Sequence, residues 1–268
     1  AAAMDLRHYD VKAHSLEATY EDVQPGFSTP EGVARTSELT LWGLAGVPDP
    51  QTTVAQAQLN ARPPLLVCSP AHLQATRTLG AFSLPDRARP GRRWVEDRLE
   101  QILTYYQQQV EQRGWYGLWD YGDIMHDYDY GRHTWRYDIG GCAWLNTEAA
   151  PDLWLWLSFL RTGRADLFRF AEAMTRHTGE VDVHHLGRFA GFGSRHNVRH
   201  WGCGAKEVRI SQAFFKRCYY FLTTDERTGD LMREVLPVGR RLLEIDPMRK
   251  VWEPRRMPGG YPVRLRLG

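Results

Sequence analysis

Apolar side chains recur at helical spacing through the middle of the chain. Between residues 93 and 113 most of them are three or four positions apart, at Trp94, Leu99, Ile102, Leu103, Tyr106 and Val110. This spacing gives a helix one apolar face, and Gly114 follows as a typical helix-ending residue. Comparable patterns predict further helices at residues 54–61, 143–161, 165–177, 205–222 and 230–245.

The two ends of the chain have a different pattern. Residues 36–42 (TSELTLW) alternate polar and apolar side chains, which is typical of a half-buried strand. Residues 263–267 also alternate and follow the turn signal Gly259-Gly260. We therefore predict a β-rich segment at 1–48, a helical domain at 49–250, and the start of a second β-domain or a tail at 251–268.

Two joints between predicted helices resemble each other. Each contains a Thr-Gly pair, at residues 162–163 and 228–229, followed closely by an aspartate that would complement the dipole of the next helix. A repeated joint of this kind is typical of stacked helical hairpins. The predicted fold class is mainly α, as a partial α/α toroid of helical hairpins with β-rich segments at both ends. The helices are too few to close a ring, so we expect the chain to be a fragment.

The composition argues against several kinds of partner. The formal net charge is only +2, with acidic and basic residues mixed, which gives no electrostatic reason to expect nucleic-acid binding. No apolar run reaches the roughly 18–20 residues that a membrane-spanning helix needs. The four cysteines lack the close spacing of structural zinc sites. We predict no nucleic acid, no membrane and no metal.

Residues 115–148 combine aromatic, charged and glycine residues with few aliphatic ones. Such a segment suits a sugar-binding cleft, because aromatic rings stack on sugar faces while charged groups hold the hydroxyls. A second loop at residues 187–204 (GRFAGFGSRHNVRHWGCG) also precedes a predicted helix. We expect the two loops to meet at one mouth of the toroid. The predicted stacking residues are Trp115, Trp119, Trp135 and Trp201.

Both loops carry the groups that β-elimination at a uronate requires. Arginine suits the substrate carboxylate, and tyrosine or histidine can remove the C5 proton or protonate the leaving oxygen. The candidate catalytic residues are Tyr130, His133, His196 and His200, in roles of base and acid that remain open. The candidate substrate-binding residues are Arg136, Tyr128, Tyr137, Arg195 and Asn197.

Two other functions stay open. A glycoside hydrolase could use a pair of carboxylates from Asp120, Asp123, Asp127, Asp129 and Asp138. A noncatalytic module could bind the same acidic polysaccharide or oligosaccharide without cleaving it. No cofactor is expected, although the Asp127-x-Asp129 pattern is a weak calcium signal.

The other histidines have simpler interpretations. His177 is expected near a helix C-terminus, where the dipole alone explains it. In the pair His184-His185, which follows a short apolar stretch, only one side chain could face a site if the segment is a strand.

The same loops resemble the exo-rhamnogalacturonan lyase family, polysaccharide lyases related to the bacterial YetA-like proteins. The matching stretches are WYGLWDYGD, HDYDYGRHTWRYDIGGCAWLNTE and SRHNVRHWGCGAKEVR, within roughly residues 93–246. The resemblance implies an incomplete α/α toroid flanked by β-domains and β-elimination at galacturonate–rhamnose linkages. Family members carry substantial β-domains on both sides, and here we expect both to be truncated.

Overall fold

The computed structural model of the chain describes residues 32–137, 144–147, 149–187, 189–193, 208 and 212–244. Within them the fold is mainly α, as predicted, with one two-stranded antiparallel hairpin. The helices are α1 (Pro50–Ala61), α2 (Pro70–Thr76), α3 (Pro90–Arg113), α4 (Pro151–Thr162), α5 (Ala165–Glu180), α6 (Ala213–Thr223), α7 (Glu226–Val235) and α8 (Val238–Arg241). The strands are β1 (Tyr128–Asp129) and β2 (Thr134–Trp135), and a 3₁₀ turn at Leu242–Glu244 follows α8.

The helices form hairpins joined by short turns. Helix α4 packs on α5 and α6 packs on α7, while α5 and α6 also contact each other. Gly163 ends α4 in the left-handed conformation, at a φ of 68° that glycine adopts without strain. Proline occupies the first turn of α1 to α4, where its missing N–H is not needed.

The core of the hairpin stack is aromatic. Trp156 is fully buried, and its ring lies 5.3 Å from that of Phe168 and 5.8 Å from that of Tyr219. Its indole N–H donates to Thr175 Oγ1 at 2.8 Å, so the one polar atom of the ring is satisfied inside the core. Helices α4, α5 and α6 are thereby joined at one point.

Several predicted elements differ from the observed ones. The helix predicted at 143–161 begins at Pro151, because Asn146, Thr147 and Ala150 adopt positive φ values that no α-helix contains. The helix predicted at 230–245 begins earlier, at Glu226, and is interrupted after Val235 near Pro237. The predicted helix at 205–222 is described only from Ala213, and residues 251–268 lie outside the described residues.

Residues 36–42, which were predicted as a half-buried strand, pair with no strand among the described residues, and Leu39 and Leu41 are both exposed. A strand requires a hydrogen-bonded neighbour as well as an alternating pattern.

The chain that enters the helical part is fixed against the end of α5. The Glu180 carboxylate accepts from the Thr36 N–H at 2.7 Å, and its backbone carbonyl accepts from Ala34 N–H. Arg35 donates to the Tyr121 carbonyl and lies over the Tyr121 ring. The entering segment, helix α5 and the first aromatic loop therefore meet in one region. No helix among the described residues is both long and apolar enough to cross a membrane.

Candidate functional site

Two of the predicted catalytic side chains lie on one exposed turn between β1 and β2. Tyr128 pairs with Trp135 and Asp129 with Thr134, so Tyr130 and His133 fall in the connection. Asp129 Oδ1 accepts from the N–H groups of Gly131 and Arg132 at 2.9 Å each, which fixes the turn.

The two catalytic candidates on this turn face solvent. Tyr130 is 82% exposed, and His133 is also exposed, at a φ of 53°. A phenol and an imidazole are therefore both accessible on this turn.

The predicted substrate-binding residues of this segment lie at the base of the same hairpin. Arg136 approaches Asp127 at 3.7 Å, and both side chains are partly exposed. The Tyr128 ring packs edge-on against Trp135 at 5.2 Å. Tyr137 accepts a hydrogen bond from the indole N–H of Trp115 at 2.9 Å, so its hydroxyl helps to hold the core.

Two of the predicted stacking residues are core residues instead. Trp115 and Trp135 are 2% and 3% exposed, and their rings contact each other at 5.6 Å in an edge-to-face arrangement. Trp144 packs on Trp115 in the same way, and the Trp135 N–H donates to Gln109 Oε1 at 3.0 Å. A stacking role needs an uncovered ring face, so the prediction for Trp115 and Trp135 is corrected. Trp119 is only partly buried and stays a candidate.

The predicted residues of the second loop lie outside the described residues. These are Arg195, His196, Asn197, His200 and Trp201. The structure does describe the chain on the way into that loop. Val183 forms a bridge with Gly193, and the His184 N–H donates to Phe192 O at 3.0 Å, which fixes the start of the loop against the segment that follows α5.

A buried cluster joins the first loop to that segment. Asp123, His177 and Asp182 each offer a ligand atom, and these atoms all lie within 4.8 Å of one another. His177 Nε2 lies 3.3 Å from Asp182 Oδ1 and 3.6 Å from Asp123 Oδ2. All three side chains are almost completely buried. A cluster of this composition can hold either a proton or a metal ion.

Backbone groups hold the members of this Asp-His-Asp cluster. His177 Nδ1 faces the Tyr121 carbonyl at 3.2 Å, and Asp123 accepts from the N–H groups of Ile124 and Asn146 at 2.8 and 3.1 Å. Burial opposes a charged imidazole, but Asp182 and Asp123 outweigh it and raise the pKa of His177. The helix dipole was expected to explain His177, and the two aspartates are a further cause that the sequence did not indicate.

A second buried polar group lies between α4, α5 and α6. Asp152 accepts from Thr178 Oγ1 at 3.0 Å, and Lys216 is completely buried nearby. Burial raises the pKa of Asp152 to about 6, although Lys216 and the hydroxyl groups act in the opposite direction. Burial likewise lowers the pKa of Lys216 to about 8, against the attraction of Asp152. The pair lies inside the hairpin stack.

The two adjacent histidines have different environments, and neither lies in a described strand. His184 is 1% exposed, whereas His185 binds the Glu234 carboxylate through Nδ1 at 2.9 Å and faces the Glu180 carbonyl through Nε2 at 2.8 Å. His185 therefore connects the end of α5 to α7.

A cavity of about 430 Å³ opens beside the first loop, between α3 and α5. The rings of Tyr116 and Tyr121 stack at 5.9 Å on its wall, and Arg62 and Arg169 also line it. The lining therefore combines aromatic faces and two guanidinium groups with the carboxylates of Glu111, Asp123 and Asp166. The sequence analysis identified the loop as aromatic but did not single out these two tyrosines.

The grouping of Asp123, His177 and Asp182 could not be predicted from the sequence, although Asp123 and His177 were each considered separately. Asp123 and His177 are far apart in the chain, and no spacing rule connects them. The polar residue of the Val181-Asp182-Val183 stretch was the one local signal, since an aspartate between two valines is unusual in a segment that is buried.

Comparison with known proteins identifies the relatives of the chain. Residues 63–268 match the family described as PcRGLX-like protein C-terminal alpha/alpha toroid domain, and residues 1–58 match PcRGLX-like protein central beta sandwich domain. The "Uncharacterized protein YetA" of Bacillus subtilis (strain 168) is 48% identical over 266 residues, which cover 99% of this chain and 30% of that relative. The chain thus spans less than a third of the length of this curated relative. On these matches, the chain belongs to the PcRGLX-like family of rhamnogalacturonan-lyase-like proteins.

Proposed function

We propose that the protein is a polysaccharide lyase that cleaves a uronate-containing glycan of the rhamnogalacturonan type by β-elimination. The observation that carries the proposal is membership in a rhamnogalacturonan-lyase-like family over nearly the whole chain. The substrate would be an acidic polysaccharide or oligosaccharide with galacturonate–rhamnose linkages.

Elimination makes three chemical demands. A base removes the proton from C5 of the uronate, and the electron pair of that C–H bond forms the C4–C5 double bond. The bond between C4 and the linkage oxygen then breaks, and an acid protonates the departing oxygen. A cation or hydrogen-bond donor at the uronate carboxylate stabilises the negative charge that develops there.

The hairpin supplies candidates for each demand. Tyr130 or His133 would act as base or acid, because both side chains face solvent on one turn. Arg136 would hold the carboxylate, since its 3.7 Å contact with Asp127 is long for a charge-assisted hydrogen bond and can be exchanged for substrate. In the second loop, His196 or His200 would be the counterpart, with Arg195, Asn197 and Trp201 as substrate contacts.

Two of the aspartates that a hydrolase could use have structural roles. A hydrolase needs one carboxylic acid and one carboxylate on opposite sides of the scissile bond. Asp129 instead fixes the β1–β2 turn and pairs with Arg132 at 2.6 Å, and Asp123 is 1% exposed and bound by backbone N–H groups. Asp123 and Asp129 are therefore poor candidates for the catalytic acid and base of a hydrolase.

The proposal is tested by incubating the purified protein with rhamnogalacturonan and following the ultraviolet absorbance of the unsaturated uronate. We expect Tyr130→Phe or His133→Ala to reduce its rate of formation by about 10²- to 10⁴-fold, the usual contribution of a general acid or base. The matched control is His72→Ala, which removes an imidazole at an exposed position of α2.

The alternatives give different results in the same assay. New reducing ends without unsaturated product would indicate a hydrolase. Substrate binding without any product, unchanged in His133→Ala, would indicate a noncatalytic binding module.

A further inference from the structure

We propose that Asp123, His177 and Asp182 bind a divalent transition-metal ion of the zinc class. The site would join the first aromatic loop, the last turn of α5 and the segment that leads into the second loop. It is separate from the exposed turn that carries Tyr130 and His133, so the inference does not depend on the proposed lyase activity.

The distances within the cluster match those between two ligand atoms of one metal ion. Zinc binds nitrogen and oxygen ligands at roughly 2.0–2.2 Å, so tetrahedral ligand atoms lie about 3.3–3.6 Å apart. His177 Nε2 lies 3.3 Å from one carboxylate oxygen and 3.6 Å from the other. Direct charge-assisted hydrogen bonds are shorter, at about 2.7–2.9 Å.

The hydrogen bonds that hold His177 and Asp123 in place are of the kind found around metal ligands. An imidazole that binds metal through one nitrogen usually gives its other N–H to a carbonyl or carboxylate, and ligating carboxylates are themselves hydrogen-bonded. The Tyr121 carbonyl lies 3.2 Å from His177 Nδ1, which leaves Nε2 directed at the two carboxylates. Two backbone N–H groups, from Ile124 and Asn146, hold Asp123.

The donor set selects the class of ion. One imidazole nitrogen and two carboxylates suit zinc and its first-row neighbours. Calcium prefers about 6–8 oxygen ligands and would find too few oxygens here. All three side chains are almost completely buried, and with three protein ligands a water molecule would complete the tetrahedral shell of the ion.

The experiment uses the full chain, stripped of metal with a chelator and then titrated with zinc by calorimetry. We expect saturable binding of one zinc per chain and a higher melting temperature. Asp182→Asn and His177→Gln should each weaken binding by more than the roughly 10- to 100-fold that the loss of an outer hydrogen-bond partner causes. The matched control is Glu234→Gln, which alters a carboxylate that binds His185 outside the cluster.

A second measurement keeps the proposal falsifiable if the variants fold poorly. Cobalt bound to the unaltered chain should give the intense visible absorption of a tetrahedral site with nitrogen and oxygen ligands, and zinc should displace it. The proposal is overturned if the unaltered chain shows no saturable zinc binding. It is equally overturned if Asp182→Asn and His177→Gln, while folded, bind zinc as tightly as Glu234→Gln does.

Discussion

The burial of individual polar residues is the feature of this protein that is hardest to predict from its sequence. Asp152 and Lys216 look like surface residues in the sequence, yet neither is exposed to solvent. A buried charge is tolerated only where partners surround it, and those partners come from three different helices. Only the folded chain brings Asp152, Thr178 and Lys216 together, so no local pattern could predict the group.

The raised pKa of Asp152 predicts a pH dependence of stability. With its pKa near 6 in the folded chain and 3.8 ordinarily, Asp152 keeps a proton on folding that the unfolded chain releases. Its contribution to stability is therefore fully present below about pH 4 and is lost as the pH rises to about 6. We expect the stability of the unaltered chain, relative to Asp152→Asn, to fall by on the order of 2 kcal/mol across this range.

This difference is measured by urea unfolding of both proteins at several pH values. The matched control for loss of a carboxylate is Asp230→Asn, at an exposed position of α7. If the unaltered chain instead gained stability relative to Asp152→Asn as the pH rises, the result would contradict the assigned environment.

His177 illustrates how a correct local prediction can miss the chemistry. It does lie in the last turn of α5, as the sequence predicts. Its main partners, Asp182 and Asp123, come from the following segment and from the first loop. The helix position was predictable, and the cluster was not, because it depends on how the loop packs against the helix.

At the scale of elements, the long periodic helices were predictable and the loops were not. Helix α3 begins three residues before its predicted start and ends at the predicted residue, Arg113. The sequence shows that the first loop is rich in aromatic residues. It does not show that two of the tryptophans predicted to stack on a substrate are buried. Trp115 and Trp135 pack into the core, while Tyr130 and His133 face solvent. Sequence composition does not reveal which aromatic rings of a loop fold inward.

The close packing of the first loop on α5 gives a second stability prediction. Gly122 has a φ of 101°, and a Cβ added there would lie 2.2 Å from the Ala173 carbonyl oxygen. Gly122→Ala should therefore destabilise the protein by about 2–4 kcal/mol, because the loop must move or accept strain.

Gly91 provides the matched control, since a Cβ there meets nothing within 4 Å and the residue lies in the first turn of α3. Gly91→Ala should be neutral or stabilising by up to about 1 kcal/mol. Both values come from urea unfolding. Equal stability of the two variants would show that the loop does not pack on α5 as described.

At the scale of the whole molecule, only one of the two predicted Thr-Gly joints is a joint. Gly163 ends α4, whereas Thr228 and Gly229 lie inside α7, which begins at Glu226. The mainly α fold with paired helices follows from the periodic apolar pattern. The match of residues 63–268 to an α/α toroid domain agrees with it. Asp123 of the first loop lies close to Asp182, which precedes the second loop, and the meeting of the two loops stays a prediction. Whether His196 and His200 face Tyr130 and His133 stays a prediction.

The most direct test of the account is the structure of the new ends that the purified protein makes from rhamnogalacturonan. Nuclear magnetic resonance of the products should show a C4–C5 double bond in the terminal uronate, with one such unsaturated end for every new reducing end. Saturated uronate ends in the same number as the reducing ends would contradict β-elimination by this protein.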